Sequence, residues 1–344
     1  MEWKGKWIGP AQSMGDVCPV FVREFNKGDF PGKEIKSVQL QVTALGVYEA
    51  QLNGKRVGDY VLAPGWTSYE TRHQYQCYDI TELVEDRNRL EITVGKGWYR
   101  SPVPGWITEE GKAQRAAIPA GLIAEIKITF TDTTTAVIPT DETWQAAESR
   151  IRFSEIYDGE VYDASFEVSD YQPVVLLERT TDNLIPQQGE KITEHEYVKA
   201  ARCLTAPNGE VVVDFGQEVT GYIQFTVDAK AGEKVEISHG EVLDKDGNFY
   251  NANYRSAKSK IYYTCCDGVQ TYKPKMTFFG FRYIRLDQFP GTPCADQFYA
   301  VAVHSDMKRT GRLRSSNPLL NQLFSNIIWG QKGNFLDVPT DCPQ

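Results

Sequence analysis

A chain of 344 residues, 41% hydrophobic and 24% charged, is long enough for two ordinary domains with full cores and has none of the bias of a disordered polymer. Its net charge of −9, with no Lys/Arg-rich run, argues against a nucleic-acid footprint or an anionic membrane partner, both of which need clustered basic residues. The opening MEWKGKWIGP has no basic segment leading into an apolar run, and no stretch of about 18 apolar residues follows, so neither a signal peptide nor a spanning helix is expected.

The seven cysteines are odd in number, scattered and without a C-x-x-C pair. They indicate neither a disulfide framework nor a zinc site, and reduced thiols suit the cytoplasmic address that the N-terminus implies. No metal and no cofactor is expected, since dinucleotide, P-loop and H-E-x-x-H patterns are all lacking.

Between 38 and 303 the pattern is short period-2 runs separated by turn residues, the sequence form of β-sandwiches. The run 47–52 alternates, Asn53-Gly54 supplies a two-residue hairpin turn, and 55–57 returns. Strands are expected at 90–94 and 122–130, the latter with Leu122, Ala124, Ile126, Ile128 and Phe130 on one face. Further strands are expected at 211–213, 222–227, 235–238, 261–264, 281–286 and 298–303. Stretches 96–119 and 141–162, rich in Trp, Tyr, Gly and Pro, read as long irregular loops. A boundary between domains is expected at 185–206, where Pro186, Gly189 and mixed charge interrupt the strand rhythm.

Helix is nearly absent until Pro318. There, Ser316 or Asn317 as N-cap and Pro318 at the first helical position precede Leu319, Leu320, Leu323, Phe324, Ile327 and Ile328 on helical spacing. Pro339 and Pro343 then hold the chain extended. One apolar helix face without partner helices suggests that a helical domain starts here and continues past Gln344.

Several clusters could carry chemistry. Asn53, Asp59, Trp66, Tyr69, Arg72, Tyr75, Trp98, Tyr99 and Trp106 combine aromatic faces with polar groups, as a sugar cleft requires. The alternative is that Trp66 and Trp98 are core and Asn53 a left-handed turn residue. Asp244 to Asn248 alternates oxygens in the manner of a calcium loop, but Gly247 falls at the wrong position and a hairpin turn accounts for it better. His239 and Glu241, with Glu236 nearby, could form a proton-transfer pair on one strand face or simply be a polar edge. The acidic run Tyr157 to Asp163 is expected to pair with an Arg of another domain or to be solvated, and Asp337 and Asp341 lie on the terminal loop.

Taken in order, Trp7-Ile8-Gly9, Arg23-Glu24-Phe25, Gly46-Val47-Tyr48, Val57-Gly58-Asp59, Pro64-Gly65-Trp66-Thr67-Ser68-Tyr69, Tyr78-Asp79-Ile80-Thr81 and Gly97-Trp98-Tyr99 resemble the N-terminal region of bacterial α-L-rhamnosidases. So do Tyr157-Asp158-Gly159-Glu160, Asp214-Phe215-Gly216-Gln217, His239-Gly240-Glu241-Val242-Leu243, Gly280-Phe281-Arg282-Tyr283 and Val338-Pro339-Thr340-Asp341-Cys342-Pro343-Gln344. The resemblance spans essentially the whole chain. It implies an all-β fold of two β-sandwich (jelly-roll) domains followed by a short C-terminal helix that would begin an (α/α)6 barrel. The implied domains are 1–195, galactose-binding-like; 196–308, concanavalin-like; and 309–344, the start of the helical catalytic domain.

It further implies a parent reaction, inverting hydrolysis of terminal α-L-rhamnose by two carboxyl groups. Asp341 matches the first member of the family's active-site acids, and the general acid and base would lie beyond Gln344. The expected partners are rhamnose-containing glycosides and the missing (α/α)6 domain, with no nucleic acid and no membrane. Asn53, Asp59, Trp66, Tyr69, Trp98 and Trp106 are the candidate substrate-binding residues. A freestanding carbohydrate-binding protein and a structural scaffold of the barrel are the alternatives. Glu218, Phe279 and Lys260 depart from the family pattern, at positions expected to be strand or loop edges.

Overall fold

The computed structural model describes residues 3–102 and 108–340. The chain divides into two compact units, one of Met1–Ile156 with Phe166–Gln188, the other of Tyr157–Ser165 with Gly189–Gln344.

In the first unit the hydrogen-bonded path runs through Leu184–Pro186, His73–Asp79, Ile35–Ala44, Leu122–Phe130, Ile8–Pro10, Gln172–Leu176, Gln145–Glu148, Pro19–Asn26, Arg87–Gly95, Val47–Leu52 and Lys55–Arg56. Gln172–Leu176 turns the corner: Val174 to Leu176 pair with Pro10 to Ile8, while Gln172 and Pro173 pair with Ala146 and Gln145. A strand shared in this way lets one path wrap into two packed layers. The expected face of Leu122–Phe130 is realised, with Leu122, Ala124, Ile126, Ile128 and Phe130 all buried. The Asn53-Gly54 turn forms as well, both residues having positive φ and Leu52 pairing with Lys55.

In the second unit the order is Gly159–Asp163, Lys260–Thr264, Lys234–Gly240, Phe279–Gln288, Val211–Ala229, Phe298–Ser305 and Ile192–Lys199. The stretches expected as strands at 211–213 and 222–227 are one strand of 19 residues. Its register against Phe279–Gln288 breaks between Asp214 and Val219, so the Asp-Phe-Gly-Gln motif marks a bend and not an end. The core includes Phe215, Phe225, Ile237, Ile261, Phe281 and Phe298. Gly159 must be glycine: with φ +110, an added Cβ would lie 1.8 Å from the Lys260 carbonyl oxygen.

Pro318–Gly333 forms the expected helix, with the Asn317 side chain accepting from the Leu319 amide at 2.9 Å. Its inner side is close: a Cβ on Gly333 would meet Thr220 Oγ1 at 2.9 Å, and Trp329 packs on the core. Leu319, Leu320, Leu323 and Ile327 stay exposed, Leu319 at 76%. Phe335–Leu336 and Val338–Pro339 then make a small hairpin that buries Leu336. No helix among the described residues is long and apolar enough to cross a membrane.

Three expectations are corrected. The stretch 96–119 holds helices Gly97–Arg100 and Glu109–Ala116, the second capped by Thr108 but burying no residue, so no apolar period announced it. The stretch 141–162 holds Gln145–Glu148, Ile151–Glu155 and most of Gly159–Asp163. Phe279 is not at an edge but 2% exposed in the core, where its ring stacks on His239 at 3.9 Å.

Candidate functional site

The aromatic cluster of the first unit comes together at the helix Gly97–Arg100 and the loop before His73–Asp79. Trp66 lies nearly parallel on Trp98, with centroids 6.0 Å apart and planes 15° apart. Trp98 is 1% exposed and Trp66 36%, so Trp98 is the buried ring of the pair and Trp66 the one that reaches the surface. Next along the helix, Tyr99 meets Tyr69 edge-on at 4.8 Å, and both rings contact His73, at 5.7 and 5.4 Å.

Hydrogen bonds fix this group. The Tyr69 hydroxyl donates to the Gly65 carbonyl at 2.8 Å, Asn183 Nδ2 donates to the Tyr69 carbonyl at 2.7 Å, and Arg179 Nη1 donates to the Tyr99 hydroxyl at 2.8 Å. His73 Nε2 donates to the Ala44 carbonyl at 3.0 Å. Burial lowers its pKa to about 4, so the ring is neutral at neutral pH. Tyr69, His73, Tyr99, Trp7 and Arg179 line a cavity of about 310 Å³. Rings with a few convergent polar groups can cover the C–H face of a sugar while pairing its hydroxyls. His73, Arg179 and Asn183 were not legible as members, because the fold brings Arg179 and Asn183 in from about a hundred residues along the chain.

Other candidates take different places. Asn53 serves its turn: Nδ2 donates to the Leu83 carbonyl and Asn88 Oδ1, and Oδ1 accepts from the Arg89 amide at 2.9 Å. Asp59 is exposed in the loop beside Tyr78, whose hydroxyl is pushed up to about 12 by burial first and in part by the Asp59 charge. Trp106 and Asp341 lie outside the described residues. Asp337 has φ +71 and makes the turn of the terminal hairpin.

In the second unit, His239 is fully buried, bonded through Nδ1 to the Ser259 carbonyl and lowered to about 4 by burial. It is a core residue, while Glu241 accepts from Asn253 Nδ2 at 2.8 Å. Asp244 closes a hairpin turn, its Oδ1 accepting from the amides of Asp246 and Asn248. Glu160 does not pair with an arginine. It is 1% exposed and accepts from the Tyr272 hydroxyl and from the amides of Lys275 and Met276. Burial nonetheless pushes its pKa up to about 7.

A carboxyl pair that sequence reasoning did not join is Glu218 with Glu241. Glu218 keeps an exposed edge, yet the protein around it, and then the like charge of Glu241, push it up to about 8 against the pull of Arg282. Glu241 is raised by burial, and Asn253 works against that. Close by, burial opposes the charge of Asp214, but Arg282, the Gly216 amide and Arg202 outweigh it and hold that carboxyl below its usual range. The signal for Glu218 was its departure from the motif Asp214-Phe215-Gly216-Gln217. Among the described residues, no group of three or more His, Cys, Asp or Glu side chains is placed to hold a metal ion.

Comparison with known proteins places these features. The α-L-rhamnosidase N-terminal domain matches residues 33–196, the bacterial α-L-rhamnosidase concanavalin-like domain 204–304, and the bacterial α-L-rhamnosidase 6 hairpin glycosidase domain 308–344. The chain belongs to the bacterial α-L-rhamnosidase family. An α-L-rhamnosidase of Streptomyces avermitilis is 39% identical over 326 residues, which are 91% of this chain and 31% of that protein. One from an Alteromonas species is 35% identical over the whole of this chain and 39% of its own length. Among solved structures, the native α-L-rhamnosidase of Aspergillus terreus superposes with a TM-score of 0.91 at 33% identity, covering 99% of this chain and 41% of that one. The Streptomyces avermitilis α-L-rhamnosidase complexed with L-rhamnose gives 0.87 at 35% identity, over 95% of this chain and 32% of that one. The chain thus spans between about a third and two fifths of each of these α-L-rhamnosidases, and its fold is all-β with a short C-terminal helix.

Proposed function

We propose that this chain is the β-sandwich portion of an α-L-rhamnosidase-like glycoside hydrolase, that it binds rhamnose-containing glycosides, and that these residues alone do not hydrolyse them. The observation that carries the reading is the helix Pro318–Gly333, which lies in the stretch matching the 6 hairpin glycosidase domain and offers Leu319, Leu320, Leu323 and Ile327 to solvent. Such a face suits burial by further helices of the same domain. Inverting hydrolysis needs an acid and a base roughly 6.5–9.5 Å apart across one sugar. In this reading both come from that helical domain. The sandwiches contribute binding, with Trp66 as the stacking face and Tyr69 beside it, while Trp98 supports them from beneath.

An aryl α-L-rhamnoside separates this from an enzymatic reading, for which Glu218 and Glu241 are the best carboxyl pair. No turnover above buffer is expected from the chain. Release of the aryl group, abolished by Glu218→Gln and Glu241→Gln, would overturn the proposal of inactivity. Titration with L-rhamnose tests the binding half: saturable quenching of tryptophan fluorescence near ~1 mM is expected and should disappear in Trp66→Ala. A flat response up to tens of that concentration would leave a scaffold role in its place.

A further inference from the structure

We propose a second ligand site in the first unit: a carboxylate-binding cavity at Arg100 that takes a uronate, the acidic form of a sugar. The choice of a sugar rests on the reading above; the choice of a carboxylate rests on Arg100.

Arg100 ends the helix Gly97–Arg100 and is only 9% exposed. Its Nε donates to the Leu45 carbonyl at 3.0 Å, and among the described residues its two terminal nitrogens have no acceptor. Those two nitrogens are not among the side-chain atoms sealed from solvent, so they reach the open space beside them and can meet a ligand's oxygens there. Arg100 lines a cavity of about 240 Å³ together with Lys96 and Arg115. The other two cations are already engaged: Lys96 Nζ pairs with Asp16, and Arg115 Nη1 donates to the carbonyls of Trp98, Tyr99 and Ser101. Among the described residues, Asp16 is the sole carboxylate in the lining.

The cavity therefore has an excess of positive charge and one open planar fork. A fork of two parallel N–H donors matches the two oxygens of a carboxylate. Pro10, Met14, Val17 and Pro119 supply apolar walls, which suit the body of a pyranose ring better than a bare ion. No pocket residue overlaps the group around Trp66 and Tyr69, so acid and neutral sugar would be read at separate places.

Calorimetric titration of the full chain with D-glucuronate, D-glucose, acetate and inorganic phosphate tests this. D-glucuronate should bind saturably with Kd near ~1 mM, D-glucose should give no heat, and acetate should bind more weakly than D-glucuronate. Arg100→Gln should weaken D-glucuronate by about tenfold or more. Because Arg100 also supports Leu45, Arg100→Lys is the second variant: it keeps the charge, loses the fork, and should weaken binding too. Equal binding of D-glucose, tighter binding of phosphate, or D-glucuronate affinity unchanged in Arg100→Lys would overturn the assignment. Acetate binding as well as D-glucuronate would overturn the sugar part and leave a site for simple carboxylates. Since D-glucuronate contains no rhamnose, its result stands apart from the L-rhamnose titration.

Discussion

Around the aromatic cavity of the first unit, burial and then the Arg179 charge keep His73 neutral against the opposing pull of the Ala44 carbonyl, and the rings are fixed by hydrogen bonds such as that from Arg179 to the Tyr99 hydroxyl. The second unit instead collects carboxyls in opposed states, with Glu160, Glu218 and Glu241 raised and Asp214 lowered. The contrast separates two ways of placing polar groups near a surface. Ring packing fixes geometry with little dependence on pH, whereas desolvated and like-charged carboxyls make stability follow proton concentration.

The sharpest way to break the first half of the contrast is at the tryptophan stack. Trp98→Ala should cost about 3–5 kcal/mol in urea unfolding, as loss of a buried aromatic ring does. Trp66→Ala should cost less than about 1 kcal/mol while removing the L-rhamnose response. Equal costs would mean that the two rings do not divide support from contact.

Next in size is Glu160. Its folded pKa is raised to about 7, so its contribution is fully present below the ordinary glutamate value and is lost as pH rises through 7. In Glu160→Gln the carboxamide oxygen can take the two backbone amides while the Tyr272 hydroxyl turns to accept from the nitrogen. The variant should flatten the decline in stability between pH 5 and pH 8 by on the order of 2 kcal/mol. A decline of unchanged slope would assign it to Glu218 and Glu241. Asp214 works in the other direction: its lowered pKa adds stability that is lost as pH falls below the usual aspartate range.

The smallest effect is expected on the helix. Leu323→Gln should change stability by no more than about 0.5 kcal/mol, because that side chain is already in water. It should also reduce self-association measured by light scattering. A large loss of stability would show that the face packs within this chain.

Much of the scaffold was legible because its signals are local. The alternation in 122–130, the Asn53-Gly54 turn and the Asn317-Pro318 cap each follow from neighbouring residues. The helix Glu109–Ala116 was hidden because it buries nothing, and its Thr108 cap had no apolar stripe to accompany it. The aromatic group was visible as letters, but not the split between Trp66 and Trp98, which depends on which ring lies beneath. Arg179, Asn183 and the partner of Glu218 join their sites only through the fold. Arg100 gave no sequence signal, since a lone arginine after Trp98-Tyr99 reads as a surface residue until its burial is seen.

The strand Gly159–Asp163 pairs in parallel with Lys260–Thr264, although the chain returns to the first unit at Phe166 in between. During synthesis this short edge piece therefore emerges roughly a hundred residues ahead of the backbone it must meet. A cut made between Gln188 and Gly189 would not yield two separable halves, because the downstream fragment would have lost a rung of its own ladder. The chain thus visits the second unit before it has finished the first, and a family that recombines its modules would have to carry that rung along.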